Sequence, residues 1–202
     1  MTEQSSRNKI MEAAIELFYY NGFKGTSIRA ITDRAAVNVS LISYYFKNKQ
    51  GLLEQATVEY YESYLALLES LIDDQNPLQS KEYIFHVIEE IIHYKEQHFQ
   101  FTCFIQRELT MDNMFIRELF STYVAKETYY LTLLVERLTD HLSSSKMDLE
   151  AYYLQLKSLL NGPFVYGNEW QREYEWDDSR HIFINSYIQL LKQWFVPLLK
   201  KD

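Results

Sequence analysis

Apolar residues recur along this chain at the spacing of an α-helix almost from end to end. Ile10, Ala13, Ala14, Leu17 and Phe18 fall in an i, i+3, i+4, i+7, i+8 stripe, which predicts an amphipathic helix over about residues 7–20. Gly22 follows where a helix-ending glycine belongs. Thr26 is placed to cap a short helix through about Arg34, with Ile28 and Ile31 inward. Asn38 is placed to cap a second short helix through about Tyr45, and Asn48 a third. That third helix is long, since Leu52, Leu53, Ala56, Tyr60, Tyr64, Leu67, Leu68 and Leu71 keep the period until DDQNP breaks it. Further helices are predicted at about 80–97, 100–109, 113–142, 147–166 and 178–199. Ser145 with Asp148 has the spacing of a capping box, and Asn161-Gly162-Pro163 should kink or end the penultimate helix. No stretch alternates at strand period. The expected fold is all-α, about nine helices in all. Three form an N-terminal helix-turn-helix head (residues 1–48), and the rest a larger helical body for regulation and dimerisation (residues 49–202).

Composition agrees with long helices: 47% hydrophobic residues, five Gly and three Pro in 202 residues. The single cysteine excludes an intramolecular disulfide framework and, with no apolar segment near the N-terminus, suggests a cytoplasmic protein. No apolar run approaches the ~20 residues that span a bilayer, so no membrane is expected. Charge adds more. Residues 1–50 carry seven Lys and Arg against four Asp and Glu, whereas the whole chain has a net charge of −8. A basic head on an acidic body predicts a polyanionic partner for the head.

The stretch SYYFKNK (43–49) then becomes intelligible. A short helix, a tight turn at Ala35–Val37 and a second short helix form a helix-turn-helix, whose second helix enters the DNA major groove. Ile42, Tyr45 and Phe46 point inward, while Val39, Ser40, Ser43 and Tyr44 point outward. Aromatics and lysines adjoin because one side is core and the other meets a phosphate backbone.

TSIRAITDRAAVN (26–38) and YYFKNKQGLL (44–53) strongly resemble the TetR family of bacterial regulators, over about residues 10–55. The resemblance implies double-stranded DNA as partner, with a palindromic operator, and nucleoid association while bound. It places base contacts at Arg29, Val39, Ser40 and Leu41, and phosphate contacts at Thr26, Ser43, Tyr44 and Lys49. Arg29 suits bidentate recognition of guanine. Two positions depart from the family pattern: Ala36 stands where the turn commonly has glycine, and Ser43 where Tyr is frequent.

The resemblance further implies a homodimer built on the last two helices. The apolar faces Tyr152, Tyr153, Leu156, Leu160 and Ile184, Tyr187, Ile188, Leu191 are the expected interface. Middle helices of such regulators commonly enclose a small-molecule ligand, for which Tyr83, Tyr94, Phe101, Phe104 and Phe115 are candidate lining residues; the same rings equally fill a core. Arg107, Glu108, Arg117 and Glu118 are charges on helices otherwise rich in Phe and Leu, and form a candidate surface for a protein partner. The whole chain also resembles RefZ-like effectors of spore formers, TetR-like proteins that tie chromosomal sites to the division protein FtsZ. Transcriptional regulation is therefore the first expectation, and a DNA-bound effector of cell division the alternative. Catalysis is not expected. Glu90-x-x-His93, with His86 nearby, has half the spacing of a di-iron site, but the second half is missing from the chain. No nucleotide, nucleophile or metal pattern is present, and no cofactor or metal is expected.

Overall fold

The computed structural model describes residues 3–72, 81–111, 114–139, 145–170 and 179–195. These form ten helices with no strand among the described residues. They are α1 (Glu3–Gly25), α2 (Ile28–Ala35), α3 (Ser40–Phe46), α4 (Lys49–Leu71), α5 (Lys81–Gln97), α6 (Phe99–Thr110), α7 (Met114–Thr139), α8 (Lys146–Val165), the single turn α9 (Gly167–Trp170) and α10 (Ser179–Phe195). The all-α expectation holds. The breaker DDQNP lies outside the described residues.

Two compact units emerge, and α4 and α7 each contribute to both. The first comprises residues 1–63 and 98–121. Its centre is the apolar stripe of α1: Ile10, Ala14 and Phe18 are wholly buried, with Ile31 of α2, Ile42 and Phe46 of α3, and Leu52 and Leu53 of α4. Phe18 stacks on Phe104 of α6 at 5.5 Å between ring centroids, and Phe104 on Phe101 at 5.7 Å. α1 is interrupted at Gly22, whose φ of 71° and ψ of 170° are open to glycine at little cost.

The second unit comprises residues 64–97 and 122–202. Its core joins Ile88, Ile91 and Ile92 of α5, Leu131 and Leu134 of α7, Leu156 and Leu160 of α8, and Ile184 and Ile188 of α10. A polar cluster lies inside it. The buried Lys95 ammonium donates to Glu127 Oε1 at 3.1 Å and to Asn161 Oδ1 at 2.6 Å, and the Tyr64 hydroxyl donates to Glu127 Oε1 at 2.9 Å. Such a cluster is stable only when fully partnered, as this one is. The capping box expected at Ser145 and Asp148 is formed. α8 carries Pro163 within it. Proline has no N–H for the carbonyl four residues back, which is Leu159, and there the Tyr187 hydroxyl donates instead at 2.6 Å. Burial pushes the Tyr187 phenol up to about 12.

Candidate nucleic-acid interface

The helix-turn-helix is assembled by local signals. α2 starts at Ser27 rather than Thr26: Ser27 is extended, and its hydroxyl accepts the Ala30 N–H at 3.1 Å. α2 ends at Ala36, which is left-handed at φ 52°, ψ 49°. The expected departure from glycine is thus accommodated by alanine in that conformation, at a cost of ~1 kcal/mol or more. The Val37 N–H closes the turn on Thr32 O at 3.0 Å. Asn38 then caps α3, its Oδ1 accepting the Ser40 N–H at 2.9 Å and the Ser40 hydroxyl at 2.8 Å. Asn48 does the same for α4 through the Gly51 N–H at 2.9 Å.

This scaffold divides the expected DNA-contact residues into two groups. α3 buries Ile42 and Phe46 and turns out Val39 (56% exposed), Ser40, Ser43 and Tyr44 (68%), with Leu41 half-buried. The Arg29 side chain on α2 is 88% exposed and lies 3.9 Å from Asp33, a surface pair of little energetic weight. These residues form one outward group of small polar, apolar and cationic side chains, suited to base edges and phosphates.

Thr26 and Lys49 belong to the other group and are turned inward. Thr26 is 2% exposed, and its hydroxyl faces Leu17 O at 3.0 Å and Gly22 O at 2.8 Å. Lys49 donates to Phe23 O at 2.8 Å and to Thr26 O at 2.7 Å. Desolvation in this seat lowers the Lys49 pKa from its ordinary value. Gly51 also packs tightly, since a Cβ there would lie 2.1 Å from the Phe46 carbonyl oxygen; neither this nor the choice of Ser27 as cap is marked in the sequence as part of the site. The adjacent Thr26-Ser27 offers two caps, and only geometry separates them.

The expected sites of the body are placed differently from what their periodicity suggests. Leu156, Leu160, Ile184, Ile188 and Leu191 are buried within the single chain, so they are core rather than an interface. Tyr153 is held internally, against the Thr128 hydroxyl at 2.9 Å, and Tyr187 staples α10 to α8. The opposite faces of the same helices are exposed: Leu154 and Val165 on α8, and Ile182, Leu190 and Trp194 on α10. An apolar cleft at Val135, Leu138, Tyr152, Leu156, Leu159 and Trp194 adjoins them.

The five rings expected to line a ligand pocket are divided between the units. Phe101, Phe104 and Phe115 belong to the first, where Phe101 packs on Tyr60 at 5.5 Å and Phe115 on Phe23 at 5.8 Å. Tyr94 in the second stacks on Tyr64 at 5.3 Å, and the Tyr83 hydroxyl donates to Leu71 O. Arg107 and Glu108 are also not a free surface. The Arg107 guanidinium donates to Phe18 O at 2.7 Å and Tyr19 O at 2.8 Å, and buried Glu108 accepts the Phe23 N–H at 3.3 Å. Arg117 and Glu118 are exposed. His86 lies 3.9 Å from Glu90 as an exposed pair. Among the described residues no group of three His, Cys, Asp or Glu could hold a metal ion, and no helix is long and apolar enough to cross a membrane.

Comparison with known proteins agrees with this geometry. Residues 10–56 match the model of bacterial regulatory proteins of the tetR family. The chain is 36% identical over 190 residues to the probable HTH-type transcriptional regulator YttP of Bacillus subtilis (strain 168), covering 94% of this chain and 92% of that protein. HTH-type transcriptional regulator RutR of Escherichia coli (strain K12) is 32% identical over 81 residues, covering 40% of this chain and 38% of that protein. In fold it is similar to a putative fatty acid metabolism regulator of Clostridium perfringens (TM-score 0.74, 16% identity, 96% of this chain and 100% of that one). It is also similar to FadR of Bacillus subtilis, solved in complex with stearoyl-CoA (TM-score 0.66, 19% identity, 91% and 96%).

Proposed function

The chain belongs to the TetR family of bacterial DNA-binding transcriptional regulators, and on that premise we propose that it acts as a homodimer on a palindromic operator. Residues 1–48 carry the DNA contacts and the remainder the dimer and its regulation. Arg29, Val39, Ser40 and Leu41 read base edges, and Ser43 and Tyr44 hold phosphates. The observation that carries this reading is the outward face of α3. A seven-residue helix that buries Ile42 and Phe46 and leaves Ser40, Ser43 and Tyr44 exposed offers that face to a partner.

The dimer forms through the exposed faces of α8 and α10, not the buried ones. On α10, Ile182, Ser186, Leu190 and Trp194 recur every four residues and are all exposed, a continuous stripe along one side of the helix. On α8, Ala151, Leu154 and Ser158 are exposed at steps of three and four. Small residues among large apolar ones allow helices to approach closely. A second copy of the same stripe is self-complementary under two-fold symmetry, as a palindrome demands. The recognition helices of the dimer then stand about 34–36 Å apart, or a multiple of that.

The test is selection of bound duplexes from a random pool, with sedimentation of the protein at micromolar concentration. Recovery of inverted repeats and a dimeric mass support the reading; a monomer, or sites without two-fold symmetry, refutes it. A second reading is an effector that acts on a protein partner while bound to DNA. It is supported by Arg117 and Glu118, exposed on α7 beside Met114, which is 82% exposed.

A further inference from the structure

The stretch Leu159-Leu160-Asn161-Gly162-Pro163 near the end of α8 forms a seat for one tyrosine of α10. Pro163 has no N–H, so the Leu159 carbonyl lacks its partner in the helical ladder. The Tyr187 hydroxyl donates to that carbonyl at 2.6 Å. Gly162 leaves room for it: a Cβ there would stand 3.2 Å from the hydroxyl oxygen, inside ordinary van der Waals contact. Burial holds the phenol up at about 12, so the hydroxyl keeps its proton and stays a donor well above neutral pH.

A second tie runs beside the first. The Trp170 indole N–H donates to the Pro163 carbonyl at 2.7 Å, and its ring stacks on Phe183 of α10 at 4.2 Å, with 12° between the planes. Phe183 in turn lies 6.3 Å from the Tyr187 ring, one helical turn along. α8 and α10 each pack on α5. They share a platform, and Tyr187 and Trp170 tie them directly to each other.

The exposed apolar stripes lie on these same two helices: Leu154 on α8, and Ile182, Leu190 and Trp194 on α10. A two-fold interface uses the same surface of both protomers. An error in the pose of α10 on α8 therefore enters the dimer twice.

We propose that Tyr187 is a positioning residue for the dimer: its bond to the Leu159 carbonyl, which Pro163 leaves open, sets the pose of α10 on α8 in which the exposed stripes form one face for a second copy of the chain. The inference rests on the reading of those stripes as the interface.

The test is the dimer dissociation constant, from sedimentation equilibrium well below the melting temperature. Tyr187→Phe keeps the ring and removes the donor. One hydrogen bond biases an equilibrium by roughly threefold to tenfold. Both protomers lose it, so dimer affinity should fall by about tenfold to a hundredfold, with the melt still cooperative. Adding Pro163→Ala returns an N–H to the Leu159 carbonyl from within α8. That satisfies the carbonyl without rejoining the helices, so the double variant should remain a weak dimer. Wild-type affinity in Tyr187→Phe overturns the proposal. Recovery in the double variant overturns it as well, because the hydroxyl would then serve only to satisfy a carbonyl. Should Tyr187→Phe fail to fold, Gly162→Ala decides, since its methyl presses on the hydroxyl from α8: a weakened dimer supports the proposal and an unchanged one overturns it. Leu190→Glu separates this inference from the reading beneath it. Monomers in Leu190→Glu beside an unchanged dimer in Tyr187→Phe sink the positioning role alone. An intact dimer in Leu190→Glu sinks the interface reading, and the positioning role with it.

Discussion

Replacement of Gly51 by alanine sets helix propensity against packing, and the structure decides the sign. Gly51 lies in the first turn of α4, where Gly→Ala ordinarily stabilises a helix by up to about 1 kcal/mol. Here the added Cβ would stand 2.1 Å from the Phe46 carbonyl oxygen and 3.3 Å from its carbon. That is roughly 1.2 Å inside the ~3.3 Å of even a favourable carbon–oxygen contact. The obstructing atom is backbone at the end of α3, and it also accepts the Asn48 N–H at 2.8 Å. It cannot swing aside as a side-chain tip would. Relief requires α3 to shift from α4, at about 1–3 kcal/mol for an overpacked site. The shift also strains the Asn48 cap on the Gly51 N–H, worth about 0.5–2 kcal/mol. Set against the propensity gain, Gly51→Ala should destabilise by about 2 kcal/mol, lowering Tm by roughly 4–8 °C for a chain of this size. The displaced helix is the one proposed to meet DNA, so operator affinity should fall more than tenfold even well below Tm. The assays are a thermal melt followed by circular dichroism and a gel-shift titration. A raised Tm with wild-type affinity would refute the reasoning, and with it the claim that the α3–α4 contact orients the recognition helix.

Leu190→Glu, on the exposed stripe of α10, should keep a cooperative melt, less only the stabilisation that the dimer supplies, and yield monomers in sedimentation and weak operator binding in a gel shift; an intact dimer would refute the interface. Ile188→Glu, two residues away and 1% exposed, should instead abolish cooperative melting, because it buries an unpaired charge. Burial pushes the Glu127 carboxyl up, but the Lys95 ammonium and the Tyr64 hydroxyl outweigh it and hold the carboxyl below its ordinary range. The unfolded chain therefore takes up a proton first, so this stabilisation is complete at neutral pH and is lost as pH falls through the ordinary glutamate range, ~4.3, and below. Glu127→Gln should flatten that acid limb and cost about 3 kcal/mol at pH 7 by leaving Lys95 uncompensated; a denaturant titration at several pH values checks both. Arg117→Ser should keep fold, operator affinity and salt slope while losing activity in the cell if α7 carries a partner surface; proportional loss of DNA binding would show a structural role.

The helix-turn-helix is legible in the sequence because its determinants are local. Asn38 and Asn48 cap helices within three residues of their own position, and the apolar spacing of Ile42, Tyr45 and Phe46 is read over five residues. Polar groups whose partners lie far along the chain leave no such trace. Lys49 meets carbonyls 26 and 23 residues earlier, and Arg107 meets carbonyls 88 and 89 residues earlier. A basic residue in a basic head is indistinguishable, by composition, from one that faces DNA. An Arg-Glu pair on an aromatic helix is equally indistinguishable from a surface patch. Only the kink at Gly22 explains why three side chains converge on one stretch of backbone.

The last two helices are ambiguous for a different reason. An amphipathic stripe identifies the apolar face of a helix when the opposite face is polar. α10 has two apolar faces: Ile184, Ile188 and Leu191 are buried, while Ile182, Leu190 and Trp194 are exposed. Periodicity reports that both exist and cannot rank them. The stronger stripe suggests an interface, yet the strength of a stripe measures burial, and the chain's own core has first claim on it. The weaker face, diluted by Ser186 and Gln189, is the one proposed above to meet a second copy. Interfaces that form between already folded protomers are about as apolar as ordinary surface outside their centre. For a helix apolar on both sides, the more mixed face is therefore the better guide to the partner.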